Sequence, residues 1–559
     1  MNLAFGGTMA TQLTRRQALT ILACGSGAAL LAACAPTAPA AAPTQSSAAA
    51  AASTQQPAGA TQQTAGATQQ PAAATPQPKS GGTLRFAQTA NPVSIDGNSI
   101  AGGGSETSWL VFDRLSTYDQ NRTPQPMLAE SWDISSDYKS FKLNLRKGVQ
   151  FHSGREMTSD DVKYTILRLR DSTVGSGILA GFSNWFTSVD TPDKYTVQLT
   201  TDASRPTFFD AIELFNIVDK ENVEGPEAKS KIVGTGPFTF VEWQNGDHFT
   251  VAKNNNYWQS GRPYLDQIIS YVRDQQSMDL QLESGGLDVI KIPAVDDFVR
   301  LKADPTYQAV IHPASGTFFE VGFNTKQPPL DDKRVRQAFN YAMDRKRFTD
   351  TIMRGTADPI DLPWSATSPA YDATKNGVYT YDLDKAKSLL DQAGVSGLET
   401  GILVNGIGAP QVLAFSQIYQ ASLAQIGVKL NIQNVEPAVW VDTLINKKPD
   451  YTGLWAGSDQ IAQLSPSTLF QLSPGWRLEN NHSNFVDPMW TDLVNQSLSE
   501  VDPARQKDLY ARLNDYILDQ SFTAAIATYP YTILMRSNVN GTGYLLHNGG
   551  LDFTGTYLS

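Results

Sequence analysis

Beyond residue 80 several short stretches alternate apolar and polar side chains with a period of two. Gly82–Gln88 and Phe141–Arg146 do so, as a strand with one buried face should. Phe238–Trp243 and His248–Lys253 flank Asn245-Gly246. Both central residues of a type I′ turn need positive φ, so this spacing predicts a two-residue hairpin. Elsewhere the period lengthens to that of a helix. Val335, Ala338, Phe339 and Ala342 share one apolar face behind Asp331, which predicts a helix capped by Asp331 and ending near Arg354-Gly355. Asp382 should open a second helix that stops at Gly394, and Asp502-Pro503 a third with Leu509, Leu513, Tyr516 and Ile517 inward. A helix over Val412–Gln425, then Gly427 and a strand over Val428–Gln433, reads as the second half of a βαβ crossover. The fold class is α/β.

One motif in this pattern carries carboxylates side by side. In Met157-Thr158-Ser159-Asp160-Asp161-Val162, Thr158 can cap a helix with Asp161 three residues on, and both acids lie at the positive end of the helix dipole. Adjacent acids can also serve a metal or acid/base chemistry. The cap accounts for them without it.

The first 78 residues follow a different rule. Residues 1–12 are uncharged, and Arg15-Arg16 precede the apolar stretch Ala18–Ala33, an n-region and h-region too short to span a bilayer as a mature helix. This is a secretory signal, compatible with either the ordinary or the twin-arginine export route. Leu31-Ala32-Ala33 ahead of Cys34 resemble a bacterial lipobox; cleavage there makes Cys34 the lipid-carrying first residue. A cut at an A-x-A-like site would instead release a soluble secreted protein. Met1 and Met9 are both candidate starts. Residues 34–78 then use almost only Ala, Thr, Gln, Pro, Ser and Gly, and without large apolar side chains they cannot offset the entropy of ordering. They are expected to form a disordered tether with a contour reach of over ~100 Å at roughly 3.3 Å per residue.

Charge narrows the partners. The 559 residues carry 44 Lys+Arg against 55 Asp+Glu, a net charge of -11, and Arg15 and Arg16 are the only charges before Lys79. So acidic a body argues against nucleic acid, whose phosphates need a basic face. Cys24 and Cys34 are the only cysteines, which excludes disulfides, cysteine-ligated zinc and thiol catalysis from everything after residue 34. No nucleophile elbow, zincin motif, Walker loop or dinucleotide fingerprint occurs. The five histidines, His152, His248, His312, His482 and His547, are widely separated, so no metal site is expected. Trp109, Trp185, Trp364, Trp455 and Trp476, with Phe318 and Phe319, lie outside the clear amphipathic helices. They suit core packing first, and also the walls of an organic-ligand cleft.

Several runs together resemble the extracytoplasmic solute-binding proteins of ABC importers, family 5, the large peptide/nickel-binding class. They are Pro126-Met127-Leu128-Ala129-Glu130-Ser131-Trp132, Leu143-Asn144-Leu145-Arg146-Lys147-Gly148-Val149-Gln150-Phe151-His152-Ser153-Gly154 with the Asp160-Asp161 motif, Gly234-Thr235-Gly236-Pro237-Phe238, Asn256-Tyr257-Trp258, and Phe323-Asn324-Thr325 through Pro328-Pro329-Leu330-Asp331-Asp332-Lys333-Arg334-Val335-Arg336 to Met343-Asp344-Arg345. In family order they span about residues 81–559.

The resemblance implies a two-lobed, periplasmic-binding-protein-like α/β fold of the large class, with an extra domain and a hinge. Its domains would be 79–123 with 232–316 and 531–559, the extra domain 124–231, and a second lobe 317–530. The outward crossing is expected near Gly316–Gly322 and the return near Tyr529–Leu534, with Phe318–Phe323 and Ala524–Leu534 running between lobes. It further implies a monomeric receptor with no cofactor and no catalytic step, which closes on a small-molecule ligand and delivers it to permease and ATPase subunits. Ligand-binding residues expected on this basis are Trp455 and Asp459 in the second lobe, Phe318 near the hinge, and Asn98 and Trp109 in the first lobe. Peptide-binding members carry an aspartate shortly after a tryptophan to hold the ligand's amino terminus. Here Ser458 occupies the matching position and Asp459 is displaced by one. A missing counter-charge would favour a neutral ligand such as an oligosaccharide, and a sensor lipoprotein on the same scaffold is a further alternative. If the Trp455 ring is a cleft wall, Trp455→Ala should weaken binding by about 2 kcal/mol and leave ligand-free stability unchanged.

Overall fold

Seven strands from well-separated parts of the chain build the largest sheet. Their order is Tyr307–Ile311, Thr532–Arg536, Val289–Lys291, Thr83–Gln88, Gln267–Val272, His248–Lys253, Phe238–Gln244. Thr83–Gln88 runs parallel to both of its neighbours and the other pairings are antiparallel. The computed structural model describes residues 78–559 apart from 90, 93, 100–104, 175–176, 225–230, 314–315, 447–450, 460–463 and 547–548. The chain divides into the units Met1–Ala74 and Thr75–Ser559, and all described residues belong to the second. The signal, Cys34 and the tether up to residue 77 lie outside the described residues, as does His547.

A second, four-stranded antiparallel sheet has the order Ala129–Ile134, Ser140–Leu145, Thr196–Thr201, Phe186–Asp193. Its alternation works as read: Phe141, Leu143 and Leu145 point inward with Val197 and Leu199, against Val162, Ile166 and Phe208. The helix Ser159–Arg168 starts at Thr158, whose backbone N–H donates to Asp161 Oδ2 at 2.9 Å. Asp161 also pairs with Arg155 at 2.6 Å and Asp160 with Lys220 at 3.4 Å, so the adjacent acids are spent on a cap and two ion pairs.

The third sheet has five strands in the order Lys429–Asn434, Glu399–Val404, Leu454–Asp459, Phe318–Phe323, Thr523–Thr528. Glu399–Val404, the helix Pro410–Gln425 and Lys429–Asn434 form the expected parallel crossover. One face of this sheet, with Phe319, Val321, Phe323, Leu454 and Ala456, packs on Phe339, Phe415 and Tyr419. The opposite face meets the helices Pro488–Ser499 and Pro503–Gln520 through Phe318, Trp490, Leu513 and Phe522.

Three local expectations shift. The hairpin Phe238–Gln244/His248–Lys253 forms, but Gln244 pairs with His248, leaving a three-residue loop in which only Gly246, at φ +80°, is left-handed. Asp247 N donates to Gln244 O at 2.9 Å, which puts Gly246 at the third position of the turn 244–247, where a type II turn needs positive φ. Asp332, not Asp331, caps the helix Lys333–Tyr341, accepting from Arg334 N at 2.8 Å. That helix stops at Tyr341, and a further turn and a π-helical turn, Phe348–Ile352, carry the chain to Arg354 and Gly355, both at positive φ.

The links between the five- and seven-stranded sheets lie close to the expected crossings, but no strand runs through them. Phe318–Phe323 lies wholly in the five-stranded sheet, so the outward crossing falls between Ile311 and Phe318. The apolar run after Thr523 breaks at Tyr529-Pro530-Tyr531: Thr523–Thr528 belongs to the five-stranded sheet and Thr532–Arg536 to the seven-stranded one. Pro530 offers no N–H to either ladder. The two crossings bond to each other, His312 N donating to Tyr531 O and Tyr529 N to Thr317 O, each at 2.9 Å.

Candidate functional site

Strand alternation decides which side chains of Leu454–Asp459 meet those of Phe318–Phe323. Cross-strand pairs are Gly322 with Trp455, Glu320 with Gly457, and Phe318 with Asp459. All six share one face, opposite the core that takes Phe319, Val321, Leu454 and Ala456. Gly322 makes room for the indole: a Cβ there would lie 2.1 Å from Trp455 Nε1. Gly475 closes over the same ring, where a Cβ would come within 3.1 Å of both Trp455 and the Glu320 carboxylate.

Trp455 is only 1% exposed. Its Nε1 faces Ser483 Oγ at 3.4 Å, and the His482 ring meets it edge-on with centroids 5.0 Å apart. The expected free wall of a cleft is therefore a packed side chain beneath the segment 473–483. Asp459 is buried and accepts from the Ser473 hydroxyl. Phe318 is buried against Trp476.

Glu320, unnoticed in the sequence, belongs to the same group. It is fully enclosed, accepts from Trp476 Nε1 at 2.7 Å, and has no cation within ion-pair reach among the described residues. Burial, with repulsion from Asp459, holds its carboxyl well above the usual range. A charged residue inside the otherwise apolar run Phe318-Phe319-Glu320-Val321-Gly322-Phe323 was the available signal.

The first-lobe residues have other neighbours. Asn98 Nδ2 donates to Asn216 O at 3.0 Å and its Oδ1 accepts from Arg168 Nη1 at 2.9 Å, so both ends of its amide are engaged inside the protein. Trp109, on the helix Ser105–Val111, lies under the Arg114 guanidinium at 4.6 Å. With Asp113, Tyr257, Asp552 and Phe553 they line a recess of about 660 Å³ measured out to open solvent. Asp113 accepts from Trp258 Nε1 at 2.8 Å, Tyr257 OH at 3.1 Å and Thr235 Oγ1 at 3.2 Å, while burial pushes its carboxyl up to about 6. Among the described residues no cluster of His, Cys, Asp and Glu is placed to hold a metal, and no helix is long and apolar enough to cross a membrane.

His482 gives this region a pH dependence. Its ring is 3% exposed and neither nitrogen has a hydrogen-bond partner among the described residues. Burial, and secondarily Arg477, lower its pKa to about 3. The unfolded imidazole titrates near 6.5, so between pH 6.5 and 3 only the unfolded chain binds this proton and stability falls as pH falls. His482→Phe keeps an aromatic edge between Trp440 and Trp455. From pH 7.5 to 5 it should lose about 2 kcal/mol less unfolding free energy than the parent, measured by urea titration. An unchanged difference between the two pH values would refute the assignment. The paired design matters because Asp113 and Glu213, raised by burial to about 6 and about 7, act in the opposite sense.

Comparison with known proteins places these observations. Residues 123–475 match the model for bacterial extracellular solute-binding proteins, family 5. Heme-binding protein A of Haemophilus influenzae is 31% identical over 366 residues, covering 60% of this chain and 66% of that protein. Di/tripeptide-binding protein 1 of Pseudomonas aeruginosa is 26% identical over 495 residues, covering 82% and 91%. The structure of a periplasmic binding protein from A. tumefaciens R10 in complex with agropinic acid superposes with a TM-score of 0.74 at 27% identity, covering 86% of this chain and 99% of that one. The fold is thus the two-lobed periplasmic-binding-protein type with an extra domain. With that fold, the matched central region and the expected motifs in order, the chain belongs to the bacterial extracellular solute-binding proteins, family 5.

Proposed function

We propose that this chain is a lipid-anchored, monomeric receptor of an ABC importer that closes its lobes on a peptide or a related amine-bearing solute and delivers it to a membrane permease. Cys34 would carry the lipid and residues 35–78 the leash. The first lobe would comprise 79–123, 232–316 and 531–559 with the extra domain 124–231, and the second lobe 317–530. Sheet membership supports this division, since each of the three large sheets draws its strands from one of these sets.

The observation that carries the peptide reading is the parity of the strand Leu454–Asp459. A residue three after Trp455 points to the opposite face, whereas one four after shares its face. The one-residue displacement that left Ser458 at the expected acidic position thus brings Asp459 onto the face of Trp455 and Phe318, beside a second carboxyl, Glu320. Two acids on one aromatic face suit a ligand ammonium better than a neutral sugar, because a buried cation needs a counter-charge. Asp459 would take the ammonium, and Trp455 and Phe318 would form the floor that holds it in place. Asn98 and Trp109 would supply the first-lobe side, Asn98 through the shape of its loop and not its occupied amide.

Native mass spectrometry of the mature protein should reveal a co-purified peptide, and Asp459→Asn should weaken its binding at least tenfold, or about 1.4 kcal/mol. The N-acetylated form of that peptide should bind both proteins equally weakly. Co-purification of an oligosaccharide, or an Asp459→Asn protein with parental peptide affinity, would overturn the peptide reading.

A further inference from the structure

A set of contacts away from the Trp455 face ties the lobes together directly. Asp210, on the short helix Phe208–Ile212 that packs on the four-stranded sheet, is completely buried. Its Oδ1 accepts from Tyr118 OH at 2.8 Å, within the same lobe. Its Oδ2 reaches across to the other lobe, accepting from Ser465 N at 3.0 Å and from Thr468 Oγ1 at 2.5 Å. Beside it Arg122 Nη1 donates to Leu464 O at 2.7 Å and Nη2 to Ser365 Oγ at 3.1 Å. Arg122 makes this reach from the turn between the strands Ser116–Tyr118 and Pro124–Pro126, with φ at +63°, a conformation a side chain of its size seldom adopts.

Apolar packing follows the same line. Leu464 is 2% exposed and sits in the core of the four-stranded sheet with Phe208 and Phe215, although Leu469 and Phe470, shortly after it, pack with Phe318 and Trp476 in the other lobe. Leu472, at the end of the helix Pro466–Leu472, packs on that core too. Parting the lobes here would bare Leu464, strip Asp210 of two of its three donors and return Arg122 to water. None of these contacts involves a solute.

We infer that Asp210, Arg122 and Leu464 form a solute-independent clasp that holds the lobes closed, making Asp210 and Arg122 positioning residues for closure. Closure then has two contributors, the clasp and the solute, and the clasp raises apparent affinity for any solute by enlarging the closed population before binding. The inference rests on the two-lobed hinge and is indifferent to which solute is carried.

The test uses no solute, so its failure leaves the peptide reading untouched. Spin labels are placed at exposed Lys142 in the extra domain and Lys346 in the second lobe, as Lys142→Cys and Lys346→Cys in the full-length chain with Cys24→Ser and Cys34→Ser, and interlobe distances are measured by double electron–electron resonance. The clasp predicts a single short distance for the parent. In Asp210→Asn/Arg122→Gln the longer, open distance should rise at least tenfold in population. Thr468→Val removes one donor and should raise it by a smaller factor, whereas Thr468→Ser, which keeps the hydroxyl, should match the parent. A merely structural role would lower the melting temperature without separating Thr468→Val from Thr468→Ser in distance. The inference is overturned if the parent is already dominated by the long distance, or if both the double variant and Thr468→Val show the parental distribution. Should the double variant not fold, the Thr468 pair decides alone.

Discussion

Trp455→Ala is expected to lower the unfolding free energy by about 3–5 kcal/mol, the range for deleting a large aromatic ring from a packed site. The ring is 1% exposed, lies where a Cβ on Gly322 or Gly475 would strike or crowd it, and is bordered edge-on by His482. A cavity of indole size beneath Gly475 cannot be refilled by the rigid strands on either side. Urea titration of the ligand-free protein measures the loss. Solute binding should fall as well, because Asp459 is carried at the end of the same strand. An unaltered midpoint would return Trp455 to the cleft wall that the family resemblance implied.

Arg345→Met should be comparably damaging, by about 3–5 kcal/mol, for a different reason. Arg345 is 5% exposed and its guanidinium donates to a set of buried oxygens. Nε donates to Ile360 O and Ala525 O, both at 3.1 Å, Nη2 to Ala525 O at 2.9 Å and to Asn340 Oδ1, and Nη1 to Asn340 O at 3.2 Å. Asp361 lies 3.4 Å away and is buried with it. Methionine fills much of the volume, but it removes the guanidinium donors from these acceptors and leaves Asp361 without its counter-charge. Arg345→Lys should recover less than half of the loss, since an ammonium cannot present the planar fork. Equilibrium urea titration resolves both variants, and a methionine variant within 1 kcal/mol of the parent would refute the assignment.

Arg345 also shows why much of the fold was legible. The run Met343-Asp344-Arg345 was one of those that carried the family resemblance, and the structure gives that arginine an architectural task. Period-two and period-3.6 patterns found the strands Thr83–Gln88 and Ser140–Leu145 and the crossover through Pro410–Gln425, because each buries one face against a partner close in sequence or wide in area. Asp331 and Asp332 are adjacent and chemically identical, so local pattern could not say which would cap. The break at Pro530 was hidden by the apolar residues around it, although the proline itself was the cue.

The site was harder to read for a physical reason. Trp455, Phe318 and Asp459 share a face through strand register, which sequence fixes only once the partner strand is known. Ser473, Gly475, Trp476 and His482 arrive from an irregular segment with no period to betray its direction. Glu320 stood in plain view within an apolar strand but takes its meaning from Asp459, more than a hundred residues away.

The mutual hydrogen bonds between the two crossings, from His312 to Tyr531 and from Tyr529 to Thr317, carry one more consequence. Two separate threads would let the halves slide and swivel as well as fold. Laced side by side they act as a strap, stiff in its own plane and pliant only across it. In the receptor proposed above, a captured solute would then have one angular coordinate left to arrest, so that little of its interaction energy is consumed in ordering the protein that receives it.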